Sequence, residues 1–311
     1  MKNYIDFKLY NTNFNIIKKF MDDHNDYYSK RLLSSLETNK YIAQAIMSGE
    51  PLFVGRFGAT ELSAIRIFDF QIKSKYKKVL KQMEMWSGFF PIDISNGKKF
   101  CDLMLEDIKD ADLIGVWHIP FEGYYLNKYG SRNLFTTQLL DLEPWKDEQV
   151  HWSYALKGKR VLIIHPFEDT IKNQYKKRNE IYEKTDILPE FELITLKAVQ
   201  TIAGSKDQRF RTWFEALDWM YEEAMKKEFD VAIIGCGAYG FPLAAKLKRA
   251  GKQAIHLGGA TQLMFGIKGK RWERSDAFNY VKKYFNESWT YPLSQDTPLK
   301  AEKVEDGCYW K

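Results

Sequence analysis

Short apolar runs recur along the chain, and each is followed by a stretch with helical periodicity. The runs lie at 52–57, 113–117, 160–167, 191–198, 230–235 and 253–257. Four of them are continuous instead of alternating, which is typical of strands buried on both faces of a parallel sheet. The helical stretches lie at 59–69, 73–85, 97–109, 169–184, 207–227 and 239–250. This alternation predicts an α/β, Rossmann-like fold with a mostly parallel central sheet of about six strands flanked by helices.

The first fifty residues differ from the rest, because they are polar and carry apolar residues at helical spacing, such as Leu32, Leu33 and Leu36. The sequence Gly49-Glu50-Pro51 breaks this pattern. We therefore expect a helical N-terminal extension at 1–50 and a single Rossmann-like catalytic domain at 51–311.

Composition narrows the class of protein. Hydrophobic residues make up 45% of the 311 residues, which is enough for a full core and excludes global disorder. The net charge of +6 suits anionic substrates, while the lack of zinc-finger or RNP-like patterns argues against a nucleic-acid partner. The three scattered cysteines predict neither disulfides nor a metal cage. With no signal-peptide pattern and no run of about 20 apolar residues, the expected location is the cytoplasm.

Ligands of such sheets bind beyond the carboxyl ends of the strands, so these ends are the candidate sites. The first run ends in Arg56-Phe57-Gly58, and Glu61 follows in the first turn of a helix. The Arg56 guanidinium is suited to a phosphate, which it can bind through two hydrogen bonds. Glu61 has two interpretations: it caps and neutralises the helix N-terminus, or it acts as a catalytic base or metal ligand.

Two further candidates follow the run at 160–167 and the run at 191–198. His165 lies at the carboxyl edge of the sheet, where an imidazole can shuttle a proton or bind a diphosphate. A structural histidine with satisfied hydrogen bonds is the alternative. Gln200 follows the next run and is expected near the same ligand.

A complete G-x-G-x-x-G motif links the run at 230–235 to the helix at 239–250. Its members Gly235, Gly237 and Gly240, together with Tyr239, predict a tight turn that approaches a phosphate or sugar. A dinucleotide site needs an acid at the end of the next strand, about 20 residues on. That strand ends in His256 instead, so NAD is not expected as a cofactor.

The last run leads into a second glycine turn, Gly258-Gly259, with Gln262 just behind it. Lys270 and Arg271 follow and form a basic loop, which can close over a diphosphate. An ordinary solvated loop is the alternative.

Two other stretches have weaker functional interpretations. Asp110-Ala-Asp112 resembles a metal-binding triplet but precedes the run at 113–117, so we expect a solvated loop at the amino end of the sheet. The segment 117–129 is rich in aromatic residues, which stack on sugars or, more commonly, pack in the core.

The motif Arg-Phe-Gly-x-x-Glu at 56–61, combined with the late Gly-Cys-Gly-Ala-Tyr-Gly turn, resembles the GT-D-type glycosyltransferases of bacteria. The similarity covers most of 50–270. Members of this Rossmann-like family use nucleotide sugars, often UDP-glucose, to build surface glycans. The family carries an acid-x-acid pair for the donor and its metal, whereas here Ala59 replaces the first acid and Glu61 keeps the second.

The resemblance implies a glycosyltransferase with a nucleotide-sugar donor, most simply a UDP-sugar, and a cell-surface glycan or glycolipid acceptor. It implies Glu61 as the key carboxylate, Arg56 as a cation of the site, and Mn²⁺ or Mg²⁺ as the metal, for which Glu61 is the one candidate ligand. A lipid-linked acceptor would bring the protein to the inner face of the membrane as a peripheral contact. The alternatives are an NAD(P)-dependent oxidoreductase and a non-catalytic nucleotide- or glycan-binding protein.

Overall fold

The computed structural model describes residues 30–147, 149–298, 301–303 and 307–310. Their centre is an eight-stranded, all-parallel sheet with the order β1-β4-β3-β2-β8-β7-β5-β6. The strands are β1 (Leu32–Leu33), β2 (Leu52–Arg56), β3 (Leu113–Val116), β4 (Phe135–Gln138), β5 (Arg160–His165), β6 (Glu192–Lys197), β7 (Val231–Ile234) and β8 (Gln253–His256). The predicted α/β class is confirmed.

All six predicted strands are present, and β1 and β4 are additional. β1 pairs with β4 through Leu32↔Thr136 and Leu33↔Thr137, so the sheet begins before residue 51. Residues 1–29 of the expected N-terminal extension lie outside the described residues, and the division of the chain at residue 50 stays a prediction.

Helices flank the sheet on both faces. They are α1 (Ser35–Ser48), α2 (Ala59–Asp69), α3 (Tyr76–Ser87), α4 (Ile94–Asp107), α5 (Glu122–Tyr129), α6 (Glu168–Tyr175), α7 (Arg178–Ile181), α8 (Trp213–Met225), α9 (Gly240–Arg249), α10 (Thr261–Met264), α11 (Lys270–Arg274) and α12 (Asn279–Lys282). The helix predicted at 169–184 is divided into α6 and α7. The helix predicted at 207–227 begins only at Trp213, because the Thr212 side chain accepts a hydrogen bond from the Glu215 N–H and caps α8.

The two faces of the sheet bury separate clusters of side chains, as the continuous apolar runs require. Phe53 packs in the cluster that contains α2, α3, α4, α8 and α9, whereas its neighbour Val54 packs with α1 and with residues of the last third of the chain. Burial on both faces leaves the strand ends as the part of the sheet that meets solvent.

The amino ends of the strands are closed by ion pairs. The Asp112 carboxylate accepts a hydrogen bond from the Phe53 N–H at 2.8 Å and another from Lys248 at 2.6 Å. Arg249 pairs with both Asp107 and Asp110. Asp110-Ala-Asp112 lies at the amino end of the sheet, as predicted, but it is not a simple solvated loop, because its carboxylates and that of Asp107 fix the end of α9 to β2 and α4.

Candidate active site

A cleft with two adjoining chambers lies at the carboxyl edge of the sheet. The arginine chamber, with Arg56, Glu61 and Arg271 in its wall, encloses about 740 Å³ including its open mouth. The glycine-turn chamber, with His165 and Gly235 in its wall, has a volume of about 630 Å³, again including its open mouth. The two share a junction formed by Trp86, Ser87, Gly237, Gly259 and Tyr309. The cleft spans β2, β8, β7 and β5, where the strand order reverses and ligands of open α/β sheets bind.

Arg56 ends β2 and points into the arginine chamber. Its Cζ lies 4.6 Å from the ring centre of Trp117, and the Trp117 Nε1–H donates a hydrogen bond of 2.7 Å to the Phe57 carbonyl. Burial lowers the pKa of Arg56, and the nearby positive charge of Arg271 lowers it further, while Tyr309 raises it. Among the described residues, no carboxylate forms an ion pair with Arg56. A half-buried guanidinium held in this way is a preformed partner for an anion.

Glu61 lies in the first turn of α2 and is 7% exposed. Its side chain curls back over Gly58, where an added Cβ would lie only 1.7 Å from Oε2. No described residue donates a hydrogen bond to this carboxylate, so the capping-box bond that its position would allow is not formed. The carboxylate therefore faces the arginine chamber with its acceptor capacity unused.

Arg271 lies in the first turn of α11, and its Nη1 donates a hydrogen bond of 2.9 Å to the Tyr309 hydroxyl. The backbone N–H of Arg271 donates to the carbonyl of Cys308, and that of Lys270 donates to the carbonyl of Trp310. The segment Gly307–Trp310 thus runs along the start of α11 and forms part of the wall of both chambers.

His165 ends β5 in the glycine-turn chamber. Its Nδ1 accepts a hydrogen bond of 3.0 Å from the Phe167 N–H, which assigns the proton of the neutral ring to Nε2. Burial lowers the pKa of His165 to about 3, although the charge of Asp296 raises it. At neutral pH this imidazole is a hydrogen-bond donor through Nε2 and a poor proton acceptor.

The glycine turn after β7 fits closely against neighbouring side chains. A Cβ at Gly235 would lie 2.5 Å from the His165 ring, and Gly237 adopts a φ of 59°, which favours glycine. Gly240 has a different function from the predicted one: a Cβ there would lie 2.1 Å from the ring of His256, so this glycine allows α9 to pack against β8.

The structure brings most of the predicted site residues to the cleft. Those that line it are Arg56, Gly58, Glu61, His165, Gln200, Gly235, Gly237, Tyr239, Gly258, Gly259, Gln262 and Arg271. Phe57, Gly240 and Lys270 line neither chamber. The Phe57 ring is fully buried and stacks on Phe241 with 4.4 Å between the ring centres. Phe57 comes directly after the last residue of β2, and its side chain lies on the core side of the sheet. Gln262 also has a structural function, since its Nε2 donates to three backbone carbonyls, including that of Tyr309.

Several residues of the cleft were not predicted from the sequence. They include Trp86, Ser87, Thr201, Ile202, Tyr309 and Trp310. Trp86 and Ser87 end a helix, and Tyr309 and Trp310 lie far along the chain, so these four residues do not follow the strand-end rule. Thr201 and Ile202 do follow the end of β6, next to the predicted Gln200. Trp117, by contrast, belongs to the aromatic segment after β3, which the sequence already indicates as able to stack on sugars.

Charge is divided unequally between the two chambers. Two guanidinium groups, Arg56 and Arg271, face the arginine chamber together with the Glu61 carboxylate. No Asp, Glu, Lys or Arg belongs to the described lining of the glycine-turn chamber, whose His165 is neutral. The first chamber suits a charged group such as a diphosphate, and the second suits a neutral ring.

A divalent cation fits the described part of the cleft poorly. No group of three or more His, Cys, Asp or Glu side chains in the described ranges could hold a metal ion. Glu61 is the one carboxylate in the described lining, and Ala59, two positions earlier in the same wall, has no oxygen that could bind a metal. In the same ranges, no helix is both long enough and apolar enough to cross a bilayer.

Comparisons with known proteins gave no match to a family model and no match among curated proteins. Among solved structures, the chain is similar to domain of unknown function 1792, described as having a distinct glycosyltransferase fold, with 15% identity and a TM-score of 0.46 over 92% of this chain and 96% of that chain. It is also similar to a glycosyltransferase (DUF1792) from Streptococcus sanguinis, with 12% identity and a TM-score of 0.40 over 86% of this chain and 96% of that chain.

Proposed function

We propose that this protein is a glycosyltransferase that transfers a sugar from a nucleotide-sugar donor, most simply a UDP-sugar, to a glycan or glycolipid acceptor. The observation that carries the proposal is the convergence of Arg56, Arg271 and Glu61 on one chamber beside an uncharged one. Sugar transfer from such a donor needs cations for the leaving diphosphate and a base for the acceptor hydroxyl, and this chamber offers both.

In this proposal Arg56 and Arg271 bind the diphosphate. Their charges lie where negative charge develops as the bond between the anomeric carbon and the phosphate oxygen breaks. The partial burial of Arg56 strengthens its attraction for the leaving group, because water screens the charge less there than at an exposed site.

Glu61 is the proposed catalytic base. Its carboxylate takes the proton of the acceptor hydroxyl as that oxygen forms a bond to the anomeric carbon, while the nucleoside diphosphate leaves with the electron pair. The His165 Nε2–H is placed to donate a hydrogen bond to a substrate oxygen. No step of this mechanism depends on a metal ion.

The acceptor and the location belong to the same proposal. A lipid-linked acceptor would hold the protein in peripheral contact with the inner face of the membrane, and the net charge of +6 favours anionic lipid surfaces. A cytoplasmic location agrees with Cys101, Cys236 and Cys308 being buried free thiols.

Thermal stability in the presence of UDP-sugars, GDP-sugars and the free nucleoside diphosphates tests the proposal. We expect a higher Tm with at least one nucleotide sugar, and no shift with any of them would refute the proposal. Glu61→Gln should keep this shift and lose hydrolysis or transfer of the sugar. A wild-type protein that binds without turnover would be the non-catalytic alternative, and an NADH fluorescence change on binding would indicate the oxidoreductase.

A further inference from the structure

Trp86 is an exposed aromatic residue in the junction of the two chambers. Trp86 belongs to the last turn of α3. It is 42% exposed, although it lines both chambers of the cleft. Among the described residues, no aromatic ring packs against the Trp86 indole and no group accepts a hydrogen bond from its Nε1. A large flat ring left uncovered at such a place is suited to a ligand that covers it.

The backbone beneath Trp86 is held firmly. Gly88 ends α3 with a φ of 65°, and its carbonyl accepts a hydrogen bond of 2.6 Å from the Thr201 hydroxyl. Thr201 also lies 3.1 Å from the Tyr239 hydroxyl, and the Tyr239 ring stacks on Trp213 at 4.6 Å. The indole is therefore attached to a turn that is held, through Thr201 and Tyr239, against the glycine turn before α9 and against α8. A platform of this kind loses little freedom when a ligand binds.

We infer that Trp86 is a stacking platform for the sugar that is transferred. This inference rests on the proposed function and adds a substrate-binding residue to it. The C–H groups on one face of a pyranose carry partial positive charge and stack on the negative face of an indole. The position in the junction selects the sugar as the ligand of this residue. The diphosphate is assigned to Arg56 and Arg271, and the transferred sugar must lie where the donor and the acceptor meet.

The nucleobase is the rival ligand for the Trp86 ring. The glycine-turn chamber already offers a base the enclosed rings of Phe167, Tyr239 and Trp310, each at most 3% exposed. Trp86 differs from them because it faces both chambers and solvent. The open ring accordingly fits the sugar, which must reach the Glu61 side of the cleft and an acceptor that enters from outside.

The test compares the affinity of wild type, Trp86→Leu and Trp86→Phe for a nucleotide sugar and for its free nucleoside diphosphate. UDP-glucose with UDP serves as the first pair of probes, and GDP-mannose with GDP as the second. Tyr154→Leu is the matched control, because Tyr154 is 38% exposed and lines neither chamber. Calorimetry gives the dissociation constants, and circular dichroism verifies that each variant is folded.

We expect Trp86→Leu to weaken the binding of the nucleotide sugar about tenfold and the binding of the nucleoside diphosphate less than about twofold. The affinity of Trp86→Phe for the nucleotide sugar should lie between those of wild type and Trp86→Leu. Equal losses for both ligands would assign the ring to the nucleobase and overturn the inference, and so would unchanged affinities. These outcomes leave the proposed function intact, because wild type still binds. A wild-type protein that binds neither pair overturns the proposed function and this inference together.

Discussion

The Arg271 guanidinium lies 4.6 Å from the ring centre of Tyr309 and also donates a hydrogen bond of 2.9 Å to its hydroxyl. The same tyrosine ring covers Gly259, where an added Cβ would come within 2.4 Å of it. Tyr309 therefore joins the basic loop after β8 to the second glycine turn. The Arg271 guanidinium, which lines the arginine chamber, is thus in contact with a residue 38 positions later in the chain.

Tyr309→Phe should weaken the binding of UDP or GDP about tenfold with little change in the free energy of unfolding. The substitution keeps the ring against Gly259 but removes a hydroxyl that accepts a hydrogen bond from Arg271. Tyr291→Phe is the matched control, because the Tyr291 hydroxyl donates a hydrogen bond to Glu273 and Tyr291 lines neither chamber. Isothermal titration calorimetry measures both, and equal affinities for Tyr309→Phe and wild type would contradict the assignment.

Arg56→Lys should reduce affinity for the nucleoside diphosphate about tenfold or more, because a lysine keeps the charge but loses the planar fork that binds two oxygens. Arg160→Lys, at the opposite end of the sheet and paired with Glu228 and Asp230, should leave the affinity unchanged. The same calorimetric titrations compare the two. If both substitutions acted alike, the arginine chamber would not be the anion site.

Gly240→Ala should destabilise the protein by about 3 kcal/mol, because its Cβ would overlap the buried ring of His256. Urea unfolding of the single variants and of Gly240→Ala/His256→Ala measures this effect. The double variant should lose clearly less than the sum of the two single losses, since removal of the ring makes room for the methyl group. Additive losses would mean that the contact with His256 is not the reason for a glycine at this position.

Glu143→Gln should change how stability depends on pH. Burial raises the pKa of Glu143 to about 7, against the hydrogen bonds that Trp145 and Tyr280 donate to it and the charges of Arg56 and Lys146. Between about pH 4.5 and pH 7 the folded state holds this proton while the unfolded state has lost it, so a rise in pH through this window destabilises the fold.

The comparison that tests this is the free energy of unfolding of wild type and Glu143→Gln at pH 4.5 and pH 8. Wild type should lose up to about 3 kcal/mol relative to the variant over this range. Taking the difference between the two proteins cancels the contribution of His165 and His256, which both contain. Because the pKa values of these histidines are lowered to about 3, they make the fold more stable as pH rises from about 3 to 6.5. Parallel pH profiles for the two proteins would contradict the prediction.

The hydrophobic runs were sufficient to predict the centre of the fold, because strands buried on both faces contain few polar residues. β1 and β4 escaped prediction for physical reasons. β1 is two residues long, and β4 reads Phe-Thr-Thr-Gln, with buried threonines whose polarity is satisfied by partners elsewhere, such as the 2.6 Å contact between the hydroxyls of Thr38 and Thr137.

The candidate site was predictable where it follows the strand ends, as at Arg56 and His165. It was not predictable where tertiary packing delivers a residue from elsewhere, as with Trp86 and Tyr309. Phe57 shows the opposite error: a residue adjacent to Arg56 in sequence buries its ring in the core beneath Phe241 and does not line the cleft, because successive side chains at a strand end face opposite sides. Sequence position alone assigns a residue to an edge of the sheet, and only the packing assigns it to a chamber.

In the strand order, β8 alone joins β2, β3, β4 and β1 on one side to β7, β5 and β6 on the other within the described residues. During synthesis the ribosome must therefore release the chain as far as His256, the end of β8, before the halves can meet. Until then the edges of β2 and β7 lie open, with unpaired backbone groups that invite aggregation. Chaperone dependence of nascent chains that end just before Gln253, compared with chains that end well after His256, would reveal this vulnerable interval.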